Sequence, residues 1–290
     1  MKIVKVIGGL GNQMFQFALY KALQKQHPDE RILLDLHCFN GYHKHRGFEI
    51  EKVFGASFEK ASLREVAQLA YPYPNFQTWR IGSRILPIRK TMLKEKADFT
   101  YEPSALTRSS STYYDGYWQH EEYFKQIREE LLDIFRFPIL KDEKNLHTAT
   151  KASTTNSCSL HIRRGDYLTD PLREGTIGTD FAVKAIQKIR TQEQPETWFV
   201  FSDDIDWCKQ HLSYIFENED VTYIDWNNGN KSINDMHLMS LCRHHVIANS
   251  SFSWWGAWLS KRYDGITIAP SIWMNMKDMY SPVPDKWIKI

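Results

Sequence analysis

The stretch CSLHIRRGDYLTD, Cys158 to Asp170, sets His161, Arg163, Arg164 and Asp166 directly behind a short apolar run. Arginine presents a planar fork of donors that matches phosphate oxygens and stays charged at every working pH, so the pair suits a phosphorylated ligand. Gly165 lets the backbone turn between them. Arg163 and Arg164 are therefore candidate catalytic groups that would meet a leaving phosphate, while Asp166 would orient an arginine or take a proton. The competing reading is a structural ion pair between Arg164 and Asp166. Arg164-Gly165-Asp166 also spells an adhesion motif, which counts for little without a secretory signal.

Four further polar stretches follow apolar runs in the same way. Gly8-Gly9-Leu10-Gly11-Asn12-Gln13 is a glycine turn with two amide side chains behind it, though it has neither the G-x-G-x-x-G spacing nor the Lys-Ser/Thr of a P-loop. Ser202-Asp203-Asp204-Ile205-Asp206 carries acidic groups that could hold a divalent metal, accept from a base or ribose, or cap the next helix. Asn249-Ser250-Ser251-Phe252-Ser253-Trp254-Trp255-Gly256 offers hydroxyls fit for capping or for phosphate, followed by tryptophans better suited to a core. Asp225-Trp226-Asn227-Asn228-Gly229-Asn230 reads only as a loop.

The elements that would position these stretches alternate between strand and helix. Ile3–Ile7, the glycine turn, a helix with Phe15, Ala18, Leu19 and Ala22 on one face, and Arg31–Leu36 make a βαβ opening. From Ser159 onward the alternation is regular: strands at 159–162, 198–201, 221–224, 245–248 and 265–269, with helices between them, which predicts a doubly wound α/β domain. In such sheets ligands sit outside the carboxyl ends of the strands, where all five stretches fall. The middle, about 40–137, reads poorly, and the polar run 138–157 is expected to join a first domain, 1–140, to a second, 155–290, with the last residues expected to return to the first.

Composition narrows the class. Thirty-seven Lys+Arg against 35 Asp+Glu leave a net charge of +2, which removes the electrostatic case for nucleic-acid binding. Four dispersed cysteines without a C-x-x-C pair point to reduced core thiols rather than zinc or a disulfide framework. No signal peptide or membrane span is read, so cytoplasmic residence is the default.

Taken in order, Gly9-Leu10-Gly11-Asn12-Gln13-Met14-Phe15-Gln16, Asp115-Gly116-Tyr117-Trp118-Gln119, His161-Ile162-Arg163-Arg164-Gly165-Asp166-Tyr167, Phe201-Ser202-Asp203-Asp204 and Asn249 to Trp258 resemble the family 11 glycosyltransferases, the α-1,2-fucosyltransferases that use GDP-fucose. The resemblance spans nearly the whole chain and looks bacterial. It implies an α/β, GT-B-like fold of two Rossmann-type domains facing across a cleft. It also implies an inverting transfer of L-fucose from GDP-β-L-fucose to the 2-hydroxyl of a galactose, in a surface polysaccharide or O-antigen repeat, with neither metal nor cofactor. On that basis Arg163 meets the donor β-phosphate and Arg164 assists or holds the loop. His161 lies against the guanosine, Asp203 or Asp204 accepts from the guanine, Ser250, Ser251 and Phe252 serve the phosphates, and Asn12 reaches the donor from the first domain.

The acceptor side is less determined. Asp115 and Trp118 are candidates to line the acceptor sugar, with core packing the competing role for Trp118. Asp166, Glu174, Asp115 and His120 are all candidate bases. The partners implied are GDP-fucose and a galactose-terminated glycan, free or lipid-linked. Other readings are transfer to a different hydroxyl or sugar, a non-catalytic nucleotide-sugar or glycan-binding protein, an NAD-dependent epimerase, for which the glycine spacing is wrong, and a metal site on Asp203, Asp204 and Asp206. The basic, apolar stretch Trp79 to Lys96 is either a solvated helix face or a peripheral contact with the inner membrane.

Overall fold

A computed structural model describes residues 1–96, 99–173, 177–276 and 281–290, and of Asp166 the backbone alone. The chain divides into two units, Met1–Arg136 and Phe137–Ile290. The first runs β1 (Lys2–Lys5), α1 (Leu10–Gln26), β2 (Ile32–Asp35), α2 (Ile50–Phe54), α3 (Leu63–Leu69), α4 (Phe76–Ile85), β3 (Met92–Lys94), α5 (Ser104–Thr107), β4 (Thr112–Asp115) and α6 (Arg128–Ile134). Its sheet is wholly parallel with order β2-β1-β4-β3. Strand order reverses beside β1, so the loops after β1 and β4 flank the switch point where such sheets bind ligands.

Buried glutamines clamp that point. Gln16 accepts from the Ile7 amide at 3.1 Å and donates to the Gly116 carbonyl at 2.9 Å, joining the two loops. Gln13 donates to the carbonyls of Gly8 and Gly47, both at 2.9 Å. Gly8 sits at φ +96°, where a side chain would be strained, and an added Cβ would stand 2.8 Å from Asn12 Nδ2.

The second unit runs α7 (Glu143–Thr154), β5 (Ser157–Ile162), α8 (Thr179–Glu193), β6 (Thr197–Ser202), α9 (Ile205–Leu212), β7 (Asp220–Ile224), α10 (Ile233–Leu241), β8 (His244–Val246), α11 (Ser251–Trp258), β9 (Thr267–Ala269) and β10 (Ile288–Lys289). All pairings are parallel in the order β10-β9-β8-β5-β6-β7, which puts the switch point between β5 and β8. Strands β5 and β6 are buried almost throughout, as a sheet covered on both faces requires. Trp254, Trp255 and Trp258 are buried in α11, and Trp254 Nε1 donates to the Pro282 carbonyl at 2.9 Å, so these rings are core. The four cysteines are buried and unbridged. Among the described residues no helix is long and apolar enough to cross a membrane.

Two expectations need correction. The polar run read as an interdomain connection is mostly helix α7, started by Asp142 accepting from the Asn145 amide at 3.0 Å, with Ala152 buried in the second unit's core. Its buried face carries Asn145 and Thr148 beside Ala152, so a polar sequence here does not mark an exposed linker. The last residues, expected to return to the first domain, instead form β10 on the outer edge of the second sheet.

Candidate active site

The parallel register pairs Ile162 with Ser202, so Arg163 and Asp203 leave their strands side by side. Asp203 Oδ2 lies 3.2 Å from Arg163 Nη1, and its Oδ1 accepts from the Arg164 amide at 2.9 Å. Asp204 Oδ2 meets Arg164 Nε at 3.2 Å while its Oδ1 accepts from the Trp207 amide at 3.2 Å, capping α9. All four carboxylate oxygens therefore have partners within the chain, and their first role is to hold the arginines. Arg164 also stacks on Trp207, with the guanidinium 3.9 Å from the ring centroid. Side-chain exposure is 35% for Arg163 and 18% for Arg164, so Arg163 is the one more available to a ligand.

The loop after β5 is tied across the switch point to the loop after β8, because Tyr167 donates its hydroxyl to the Asn249 carbonyl at 3.0 Å. Ser250 then caps α11, accepting from the Phe252 amide at 3.3 Å, which puts Ser250 and Ser251 at the positive end of an eight-residue helix. Phe252 packs on the second unit's core with its ring centroid 6.2 Å from that of His161. Burial, reinforced by the Arg163 cation, pushes the His161 imidazole down to about 3, so the ring is neutral at working pH. Its Nδ1 is buried with no hydrogen-bond partner among the described residues.

Gly165 makes this packing possible: an added Cβ would fall 2.3 Å from Asp203 Oδ2. In Gly165→Ala the carboxylate must leave Arg163 and the Arg164 amide, and a misplacement of about 1 Å at a catalytic group costs about 10²-fold. We expect steady-state kinetics to show a loss of that order with an unchanged circular dichroism spectrum.

In the first unit the switch point gathers Asn12, Asp115 and the loop after β4. Asn12 accepts at Oδ1 from Gln119 Nε2 at 2.8 Å. Asp115, half-buried at the end of β4, pairs with Lys5, which is 3% exposed and whose Nζ stands 4.3 Å from the Trp79 ring centroid. Trp118, a candidate for stacking on an acceptor sugar, is 1% exposed and wedged edge-on against Tyr114 and Tyr123; it offers no face to a sugar. Of the candidate bases, His120 caps a short turn by accepting from the Glu122 amide, the Asp166 side chain is not described, and Glu174 lies outside the described residues.

Several groups here were not singled out from the sequence. Glu95 follows β3 and accepts from the Tyr117 amide at 2.6 Å and the Gln119 amide at 3.2 Å, shaping the loop that carries Gln119. Burial outweighs those amide bonds and, with help from Asp115, raises the Glu95 carboxyl from 4.5 to about 7. The folded state thus holds a proton that the unfolded chain releases nearer 4.5, so this group's contribution to stability falls as pH rises from about 4.5 to about 7. Urea unfolding at several pH values should show Glu95→Gln gaining on the parent across that window. In the second unit Asn227 exchanges hydrogen bonds with Asn145 and donates to Asp235 Oδ1 at 2.8 Å, so the loop after β7 is a pinned structure; burial raises Asp235 to about 7. A signal for Lys5 did exist: β1, β2 and β4 each end in a charge, at Lys5, Asp35 and Asp115.

Two Rossmann-like units, one carrying arginines and a capped helix N-terminus at its switch point, form the kind of α/β architecture in which nucleotide-type ligands bind. Residues 88–290 match the model of Glycosyl transferase family 11, and the chain belongs to that family. It is similar to the Alpha-1,2-colitosyltransferase of Escherichia coli, with 37% identity covering 99% of this chain and 98% of that one. It is also similar to the O-antigen biosynthesis glycosyltransferase WbnK of Escherichia coli, with 31% identity covering 98% of both. Among solved structures, NodZ alpha-1,6-fucosyltransferase soaked with GDP-fucose aligns with a TM-score of 0.51 and 17% identity over 89% of this chain and 91% of that one. That likeness shows the fold, in keeping with the GT-B-like class expected from the sequence.

Proposed function

We propose that this glycosyltransferase moves L-fucose from GDP-β-L-fucose, with inversion, to the 2-hydroxyl of a galactose in a surface polysaccharide or O-antigen repeat. The observation that carries the reading is Arg163, held by Asp203 at the end of β5, the strand that pairs with β8, which leads to the Ser250 helix terminus. The acceptor hydroxyl attacks the anomeric carbon from the face opposite GDP, the bond to the β-phosphate oxygen breaks as charge gathers on the diphosphate, and the hydroxyl proton passes to a base on the acceptor side or to water. Arg163 meets that charge in an orientation fixed before reaction, the arrangement in which a donor is worth most. Arg164, held by Asp204 and Trp207, keeps the loop in register. Neutral His161 and Phe252 border the nucleoside, and Ser250 and Ser251 serve the phosphates. Asp203 and Asp204 act on the donor through the arginines. The unbridged cysteines fit a reducing, cytoplasmic setting.

The arginine pair supplies the charge that a metal would otherwise bring, so activity is expected to persist in excess EDTA. Loss on chelation with recovery on adding Mn²⁺ would show a metal-dependent transfer instead. A second donor follows from the 37% identical colitosyltransferase, which places activated colitose beside GDP-fucose. GDP release from each donor, with and without a β-galactoside, tests both readings. Release from GDP-fucose that requires the galactoside supports the first, galactoside-dependent release from GDP-colitose alone supports the second, and no acceptor-dependent release from either argues for a non-catalytic binding protein.

A further inference from the structure

We propose that α4 and the segment that follows it, residues 76–90, dock this enzyme on an anionic phospholipid bilayer. Helix α4 is capped by Asn75, which accepts from the Thr78 amide at 3.0 Å, yet it buries no residue. Its inner side rests through half-buried Trp79 on Lys5. Its outer side carries Ile81 at 58% and Ile85 at 74% exposure, continued by Leu86 at 42% and Ile88 at 60%. Four large apolar side chains within eight residues therefore face outward with nothing from their own unit covering them.

The segment is nevertheless held in shape. Pro87 turns Leu86 extended and ends the helix. Tyr71 donates its hydroxyl to the Pro87 carbonyl at 3.0 Å, and Arg89 donates to the carbonyls of Ala67 and Ala70 at 3.0 and 2.7 Å. The sequence reading of one basic stretch through Lys96 thus resolves into a helix, an anchored ridge and strand β3.

Charge selects the occupant. No Asp or Glu occurs between Glu65 and Glu95, a span that holds Arg80, Arg84, Arg89, Lys90 and Lys94. Arg80, Arg84 and Lys90 form no hydrogen bond or ion pair with the described residues. At the start of α4, Arg80 shares with His43 and Lys44 an open pocket of about 420 Å³, which extends the positive surface. A second copy of this chain would set cations against cations, whereas an anionic bilayer takes the basic groups at its headgroups and the isoleucines at the acyl boundary. The attachment does not depend on which sugar is transferred.

The test is co-sedimentation of the full chain with vesicles of phosphatidylcholine alone and with about one-third phosphatidylglycerol, at low and high salt. The enzyme is expected to bind the anionic vesicles only and to be released by salt. Arg84→Ser/Lys90→Ser is expected to weaken partition about 30-fold, the loss for two surface cations. Ile81→Ser/Ile85→Ser should abolish binding at a lipid concentration that half-saturates the parent. Both variants should retain parental turnover on a free galactoside, which shows them folded. Equal binding to both vesicle types, no binding, or unaltered binding by the folded variants would overturn the proposal. So would a dimer in sedimentation velocity that Ile81→Ser/Ile85→Ser dissolves, since it would assign the face to a second copy.

Discussion

Arg163→Ala is expected to lower the rate of sugar transfer by roughly 10²–10³-fold, the cost of removing one preorganised donor from a developing oxyanion. Arg163 leaves β5 where the sheet reverses order, Asp203 fixes its guanidinium from β6, and it is the more open of the paired arginines. In the proposed mechanism its contribution is to a charge that grows as the diphosphate departs, so the loss should fall on kcat as well as on kcat/KM. Arg163→Lys keeps the charge and loses the fork, and an intermediate rate is expected. The fold should survive, because the side chain is partly exposed and Asp203 keeps the Arg164 amide as a partner. Transition-state kinetics with a matched circular dichroism spectrum checks the claim, and full activity in a folded Arg163→Ala would remove Arg163 from the mechanism.

The second large effect is on stability. Asp115→Ala leaves Lys5 as a buried cation without its carboxylate. Burial, the largest influence, would lower the Lys5 amine, yet the Asp115 charge and hydrogen bond, with smaller contributions from Cys38 and Tyr117, together outweigh it and hold the amine above its ordinary value. Deleting one partner of such a pair costs about 3–5 kcal/mol, whereas replacing both by apolar groups is often nearly neutral. Urea unfolding should therefore show Asp115→Ala strongly destabilised and Lys5→Met/Asp115→Leu close to the parent. The contrast separates an uncompensated charge from a general loss of packing. A single variant as stable as the parent would mean that Lys5 reaches water once Asp115 is gone.

The placement of the arginine loop and the serine loop at strand ends was legible because its signals are local. An apolar run followed by His-Ile-Arg-Arg-Gly-Asp, and a second followed by Asn-Ser-Ser, mark strand ends whatever the sheet order. Pairing was not legible. That Asp203 holds Arg163 follows from the Ile162–Ser202 register, and that Tyr167 reaches Asn249 follows from β8 returning to the free side of β5. Single-sequence periodicity reports neither. In the first unit β3 is only three residues long and lies in a stretch without clear alternation, so Glu95 had no strand to mark it as a loop-shaping carboxylate. Sugar stacking and core packing both stood open for Trp118 for a related reason. The motif Asp-Gly-Tyr-Trp-Gln gives residue types, whereas the backbone at φ +57° turns that indole into the core beside Tyr114 and Tyr123.

The central claim is that the arginine loop after β5 serves an inverting transfer of fucose to the 2-hydroxyl of galactose. NMR of the product formed from GDP-β-L-fucose and a β-galactoside, by the parent and by Arg163→Ala, tests it most directly. The account predicts an α-linked fucose on O2 of the galactose from the parent and almost none from the variant. A β-linked product, a linkage to another hydroxyl, or equal product from both proteins would contradict it.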